Sequence, residues 1–266
     1  MGRLDKHIAL VTGAGRGIGR AIALRYAAEG ATVVITDINE EGARTVADEL
    51  RKAGAAAVDA FRCDSGDVTQ IRAMVDRVAQ RFGRLDVMVN NAGVIRVQPF
   101  LEVTEKDWDA IHHVNARGLF FSVQAAARQI LQQQPLLSGR PRGKIINIAS
   151  IAGRQGRPMF AAYAASKAAV ISITQSSASA FAPNLTVNSI CPGPVDTDMW
   201  KLIDQQYSES DGRPLGTALK ERMAGIPMGR AEKADDLTGM ALFLASSDSD
   251  FITGQSYHVD GGVNMN

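Results

Sequence analysis

The sequence predicts a single α/β domain built on a doubly wound parallel sheet with helices on both faces. Three observations predict it. Short apolar runs rich in β-branched residues alternate with helical patterns along the whole chain. The runs are continuous rather than alternating in polarity, which says that the strands are covered on both faces. A glycine-rich turn joins the first run to the first helical pattern. Ile8 to Val11 reads as the first strand and Ile18 to Glu29 as the first helix. Thr32 to Thr36 follows as a strand, and Asn39 is a good cap for a helix with Glu40 and Glu41 in its first turn. Ala56 to Arg62 reads as the third strand, Val68 to Phe82 as the third helix and Leu85 to Val89 as the fourth strand. Lys144 to Ile148 and Leu185 to Ile190 are two more strands, separated by a helix that carries Tyr163 and Lys167. Ser256 to Val259 closes the series. Such alternation gives parallel strands joined by right-handed crossovers. Gln133 to Gly143 and Trp200 to Pro227 read as irregular, and the second lies in a segment at about 198–227 long enough to form a lid over a substrate. With no internal repeat or linker, residues 1–266 are expected to fold as one domain.

Composition narrows the function. The 266 residues are 45 % hydrophobic and 21 % charged, ordinary for a soluble domain with a sizeable core. A net charge of +1, with both signs scattered, gives no footprint for nucleic acid or an anionic membrane. Cys63 and Cys191 stand far apart and outside any CxxC pattern, so buried thiols in a reducing cytoplasm are expected rather than a disulfide or zinc site. His112 and His113 lack metal-ligand spacing, and no metal is expected. Met1 to Lys6 shows neither a signal-peptide core nor a myristoylation pattern, and no run approaches a membrane span.

Thr12-Gly-Ala-Gly-Arg-Gly-Ile-Gly19 sets glycines at 13, 15, 17 and 19 between a strand and a helix. A side chain there would keep the backbone from a pyrophosphate, and the following helix N-terminus offers free N–H groups and a positive dipole end. This is the phosphate turn of a Rossmann-type fold rather than a P-loop, because no lysine follows its last glycine. Asp37 ends the second strand, where a carboxylate takes adenosine ribose hydroxyls and repels a 2′-phosphate, which favours NAD. Arg16 dissents, since an arginine in the turn could accept that phosphate.

Tyr163 and Lys167, four apart on a helix, share a face. An ammonium beside a phenol is expected to pull its pKa well below the usual value of about 10, giving a proton-transfer group near neutral pH. Ser150 ends the strand before this helix and can bond the same substrate oxygen.

These segments resemble the short-chain dehydrogenase/reductase family from about Lys6 to Gly262. Thr12 to Gly19 is similar to its TGxxxGIG turn, Asn90 to Gly93 to its NNAG, Tyr163 to Lys167 to its YxxxK, and Cys191 to Thr197 to its PG segment. The resemblance implies a catalytic set of Asn115, Ser150, Tyr163 and Lys167. It implies a cofactor surface of Gly13, Arg16, Gly17, Ile18, Gly19, Asp37 and Ile38, continued by Asp64 and Ser65 at the adenine, then Asn91, Ala92 and Gly93. Lys167 would hold the nicotinamide ribose, and Pro192, Gly193, Val195 and Thr197 would frame the carboxamide. The departures are Ala149, where a serine is common, and Ser65, where a valine is common. A homotetramer is implied through the helices that contain Asn115 and Tyr163.

The expected chemistry is hydride exchange between NAD and a secondary alcohol or ketone. Tyr163 moves the proton, Ser150 steadies the oxygen, and Lys167 passes the proton toward water near Asn115. The lid, with Trp200, Gln205, Gln206, Tyr207 and Arg213, resembles that of acetoin and 2,3-butanediol enzymes, while Lys167 to Ser172 and Glu232 to Ala245 look more like sorbitol and polyol dehydrogenases. A polyol or vicinal diol is therefore the expected substrate, with Ser150 and Trp200 as its contacts. An NADPH-dependent 3-oxoacyl carrier-protein reductase is the alternative within the class, and a non-catalytic dinucleotide sensor the alternative outside it.

Overall fold

In the computed structural model, which describes residues 2–55 and 57–265, seven parallel strands form one sheet in the order β3-β2-β1-β4-β5-β6-β7. They are β1 (Ile8–Thr12), β2 (Thr32–Asp37), β3 (Val58–Arg62), β4 (Val87–Asn90), β5 (Gly143–Ile148), β6 (Leu185–Pro192) and β7 (Ser256–Val259). The expected start of the third strand, Ala56, lies outside the described residues, as do Met1 and Asn266 at the expected domain ends. Strand order runs outward from β1 in one direction and from β4 in the other. The two crossovers leaving β1 and β4 part at this point, and their loops open a crevice at the strands' C-terminal ends.

The continuous apolar strands serve two cores. Ala9, Val11, Val33 and Ile35 face a layer made by α1 (Gly17–Ala28), α2 (Glu40–Lys52) and α9 (Ala234–Ala245). Leu10, Val34, Met88 and Ile145 face α3 (Val68–Phe82), α5 (Leu119–Gln132) and α6 (Ala161–Phe181). Each fully buried aliphatic side chain of this kind is worth roughly 1.5–3 kcal/mol over leaving it in water. Two buried polar links supplement the apolar packing. Tyr26 of α1 donates its hydroxyl to the Ala241 carbonyl of α9 at 2.8 Å. A relay crosses the sheet: Ser122 donates to Asn90 at 2.7 Å, Asn90 to Asn147 at 2.9 Å, and Asn147 to Thr174 at 2.9 Å.

The stretch from Gln133 to Arg142 is irregular, as expected, but the Trp200 to Pro227 segment is not. It holds α7 (Asp198–Asp211) and α8 (Thr217–Ala224). Gly212 ends α7 in the left-handed region at φ 76°. The buried carboxylate of Asp204 accepts from the backbone N–H groups of Gly216 and Ala218, which ties the start of α8 back onto α7. These helices bury little, which leaves them without a sharp apolar face: of α7 only Ile203 and Asp204 are buried, and of α8 only Ala218. Among the described residues no helix is long and apolar enough to cross a membrane.

Candidate active site

The crevice is a cavity of about 650 Å³ that runs from Asp37 at one end, past Tyr163, to Tyr207 and Arg222 at the other. Its first wall is the turn between β1 and α1. No side chain caps α1, whose N-cap residue is Arg16, so the N–H groups of the first helical turn remain available to an anion. Gly13 takes φ 60°, and a Cβ there would sit 2.8 Å from the Ala92 backbone. The turn is held in shape from two sides. Asn91 donates from Nδ2 to the carbonyls of Thr12 and Gly13, at 3.0 and 2.9 Å. Asp37 accepts from the Gly15 N–H through Oδ2 at 3.0 Å and from Asn39 through Oδ1 at 2.9 Å.

Gly13, Arg16, Gly17 and Ile18 line the cavity, as do Asp37, Ile38, Asp64, Ser65 and Asn91 to Gly93. Gly19 does not. It lies behind the turn, where a Cβ would meet the Gly13 carbonyl and the Asn91 amide at 2.6 Å each, so it is needed for packing rather than for contact. Asp64 both faces the cavity and folds its own turn by accepting from Gly66 N–H at 2.9 Å. Arg16 reaches across to Asp198 at the start of α7, at 3.7 Å, with most of its side chain in solvent.

Asn115 stands behind the wall rather than on it. It lies in a π-helical turn, His113–Gly118, between α4 (Glu105–His112) and α5, and it is buried behind the cavity wall. Its amide donates to the Val94 carbonyl at 2.8 Å and to Ser166 Oγ at 3.0 Å, while its carbonyl oxygen accepts from the Val94 N–H at 2.8 Å. Both N–H groups are engaged, so this side chain has no donor left for a water or a substrate. It positions Val94, which lines the cavity beside Gly93.

Ser150, Tyr163 and Lys167 do come together on the cavity wall. Ser150 follows β5, and its hydroxyl oxygen accepts from the Ala152 N–H at 3.1 Å, which leaves its own O–H to donate into the site. The short turn from Ile151 to Gly153 lies flat on α6, because a Cβ on Gly153 would strike the Lys167 backbone at 2.7 Å. Lys167 Nζ donates to the Ile148 carbonyl at 2.8 Å and stands 5.7 Å from the centre of the Tyr163 ring. The expected fall in the phenol's pKa is overturned. Burial pushes Tyr163 up to about 12, against the opposing pull of the Ser150 hydroxyl. Burial also brings Lys167 down to about 8. The i,i+4 spacing sets two groups side by side, but removing both from water disfavours both charged forms.

Pro192, Gly193, Val195 and Thr197 line the far wall. Under it lies a residue that the sequence reading passed over. Glu232 accepts from the Gly193 N–H through Oε2 at 2.9 Å, while its buried Oε1 has no partner. Burial, reinforced by Asp236 and Asp260, raises its carboxyl from 4.5 to about 8. No motif marks it; its significance arises only from the chain folding over it.

The substrate end is mixed. Trp200, Tyr207 and Arg213 face the cavity. Gln205 and Gln206 do not line it: Gln205 pairs with Glu209 on the surface, and Gln206 accepts from the Val97 N–H at 2.9 Å. The sequence reading also missed the loop from Arg157 to Phe160, just ahead of α6, and Glu221 and Arg222 on α8. Among the described residues no cluster of three His, Cys, Asp or Glu side chains is placed to hold a metal ion.

A phosphate-accepting helix start at the switch point, joined by one cavity to a serine, a tyrosine and a lysine, defines a nicotinamide dinucleotide-dependent oxidoreductase. The uncapped α1 and the glycine cradle fit that cofactor. Comparison with known proteins agrees: the chain belongs to the short-chain dehydrogenase/reductase family. Residues 13–264 match the family model described as enoyl-(acyl carrier protein) reductase. The chain is 41 % identical to a sorbitol dehydrogenase of Cereibacter sphaeroides, with 98 % of each covered. It is 39 % identical to an L-2,3-butanediol dehydrogenase of Corynebacterium glutamicum, over 97 % of this chain and 99 % of that one. An actinorhodin polyketide ketoreductase solved with NADPH superposes with a TM-score of 0.91 at 33 % identity, all of both chains covered.

Two results are expected. Tyr163→Phe should fold and bind the cofactor but lose at least about 10²-fold in kcat, the scale of catalysis by a placed proton donor. A loss under tenfold would give the proton to another group. Between pH 4.5 and about 8, native Glu232 keeps a proton that the unfolded chain has released, so its contribution to stability is lost as pH rises through that window. Glu232→Gln removes this dependence. The wild-type Tm, compared with that of the variant, should fall from pH 5 to pH 9, at roughly 2–4 °C for each kcal/mol involved. Parallel curves for the two proteins would contradict the assignment.

Proposed function

We propose that the protein oxidises a secondary carbinol that carries a neighbouring hydroxyl, as in a polyol or vicinal diol, and reduces the matching hydroxyketone, with NAD as cofactor. One observation carries the reading: Ser150, Tyr163 and Lys167 share the wall of a single cavity whose other end holds the uncapped start of α1. The names of the sorbitol and butanediol relatives support the substrate class.

Bound nicotinamide supplies a hydride acceptor or donor; the rest is done by the chain. Ser150, whose hydroxyl lies against the Tyr163 phenol, donates its O–H to the substrate oxygen and fixes it near the phenol. In ketone reduction the neutral Tyr163, favoured by its burial, is already the acid required. In alcohol oxidation the phenol must first lose its proton, with the Lys167 ammonium beside it to stabilise the anion. Oxidation should therefore quicken toward alkaline pH. NAD is favoured because the Asp37 carboxylate lines the ribose end and a 2′-phosphate would be repelled there. Arg16 is drawn toward Asp198 instead. The same charge argues against the carrier-protein reductase alternative with NADPH. The reading includes a cytoplasmic homotetramer, supported by the two free buried thiols and by the exposed apolar Trp108 on α4 and Phe120 on α5.

A panel of polyols, vicinal diols, hydroxyketones and plain alcohols, each assayed with NAD and with NADP by nicotinamide absorbance, tests both halves of the proposal. The expected result is a kcat/KM at least about tenfold higher for diols and polyols than for 2-butanol, since unpaired polar groups in the site penalise an analogue without hydroxyls. It should come with a clear NAD preference that narrows in Asp37→Ala. Equal efficiency with both cofactors in the unaltered protein, or a best turnover on acetoacetyl thioesters, would overturn it.

A further inference from the structure

Beyond Tyr163 the cavity ends among Arg157, Tyr207, Arg213 and Arg222. One guanidinium at this end is left without a partner. Arg213 engages two carboxylates, Asp211 through Nε at 2.9 Å to each oxygen and Glu221 through Nη1 at 2.8 Å, and it lies over the Tyr207 ring at 4.7 Å. Asp204 is engaged with the backbone N–H groups of Gly216 and Ala218. Arg157 and Arg222 form no ion pair among the described residues, and the buried Nη2 of Arg157 has no hydrogen-bond partner at all. Burial and the Arg222 charge both work against the Arg157 guanidinium, with only the Tyr207 hydroxyl opposing them.

A buried guanidinium N–H left unpaired is costly unless an acceptor arrives, and charge-assisted bonds to an oxyanion are about twice as strong as those to a neutral oxygen. A hydroxyl offers Arg157 a neutral acceptor and leaves the two positive charges facing each other. A carboxylate or phosphate neutralises them and matches the planar donor geometry.

We propose that the substrate is a polyhydroxy compound bearing an oxyanion, a carboxylate or a phosphate, which Arg157 and Arg222 hold while the carbinol faces Ser150 and Tyr163. This rests on the dehydrogenase reading of the same site. The oxyanion takes no part in bond making. The carbinol carbon still loses hydride to nicotinamide and its oxygen still loses a proton to the Tyr163 phenolate, so the alcohol becomes a ketone and the oxidised cofactor is reduced.

The test compares kcat/KM for D-sorbitol, D-gluconate and D-sorbitol 6-phosphate with NAD, in the wild type and in Arg157→Leu and Arg222→Leu, with folding checked by circular dichroism. Calorimetric binding of D-gluconate and of inorganic phosphate to the NAD-loaded wild type and Arg222→Leu is measured alongside. At least one anionic compound should exceed sorbitol by about tenfold or more, an advantage that shrinks at high salt and falls about tenfold in either variant. A larger value for gluconate assigns a carboxylate, and a larger one for the phosphate ester a phosphate. Sorbitol matching or exceeding both anions, or an anion preference unchanged in both variants, would overturn the proposal while leaving the dehydrogenase reading intact. If no alcohol is oxidised, that reading fails, and the calorimetry still decides: anion binding lost in Arg222→Leu supports the pair as an oxyanion site, and no anion binding in the wild type rejects it.

Discussion

Past the C-terminal ends of the parallel strands the main chain loses its sheet partners, and each N–H and C=O there must find another before the site can hold a shape. Asparagines meet this requirement. Asn91 binds the carbonyls of Thr12 and Gly13, so the phosphate turn after β1 is shaped by the segment after β4. Asn115 binds both main-chain groups of Val94 and so holds the next stretch of the same segment. Asn90 and Asn147 pair with each other beneath and link out to α5 and α6 through Ser122 and Thr174. Cofactor turn, catalytic wall and sheet are thus each held by an asparagine of neighbouring segments. Leaving such a buried group unpaired costs about 1–3 kcal/mol, which is large beside the net stability of a domain.

The catalytic groups are set against this rigid edge, and their protonation follows from dehydration rather than from mutual charge. Tyr163 stays neutral and Lys167 loses part of its hold on its proton because α6 carries both into the wall. Lys167 keeps one firm partner, the Ile148 carbonyl, leaving two donors directed elsewhere. The same logic raises Glu232 beneath Gly193. Burial thus disfavours the charged forms of all three groups around the reacting centre, while at the far end Arg157 keeps a buried N–H without a partner.

What the sequence disclosed and what it hid divide along a physical line. Local signals were legible: the glycine turn, the apolar strands, the Asn39 cap, which accepts from Gly42 as expected, and the i,i+4 pair on α6. Features that depend on distant partners were not. Nothing local says that the Asn115 side chain faces Val94 rather than the cavity, or that Gly19 sits behind its turn. The lid read as irregular because α7 and α8 bury little apolar surface and are held partly by one carboxylate, Asp204, reaching a turn twelve residues on. Arg157 looks like an ordinary surface arginine until the fold buries its Nη2 without a partner.

The network is most directly tested at Asn91, which touches the turn without belonging to it. Calorimetric Kd for NAD and saturated kcat should be measured for the wild type and for Asn91→Ala. Loss of two hydrogen bonds to the turn should weaken NAD binding by about tenfold or more while kcat stays within about threefold, because Ser150, Tyr163 and Lys167 are undisturbed. An unchanged Kd would contradict the account, as would a fall in kcat as large as the loss of binding.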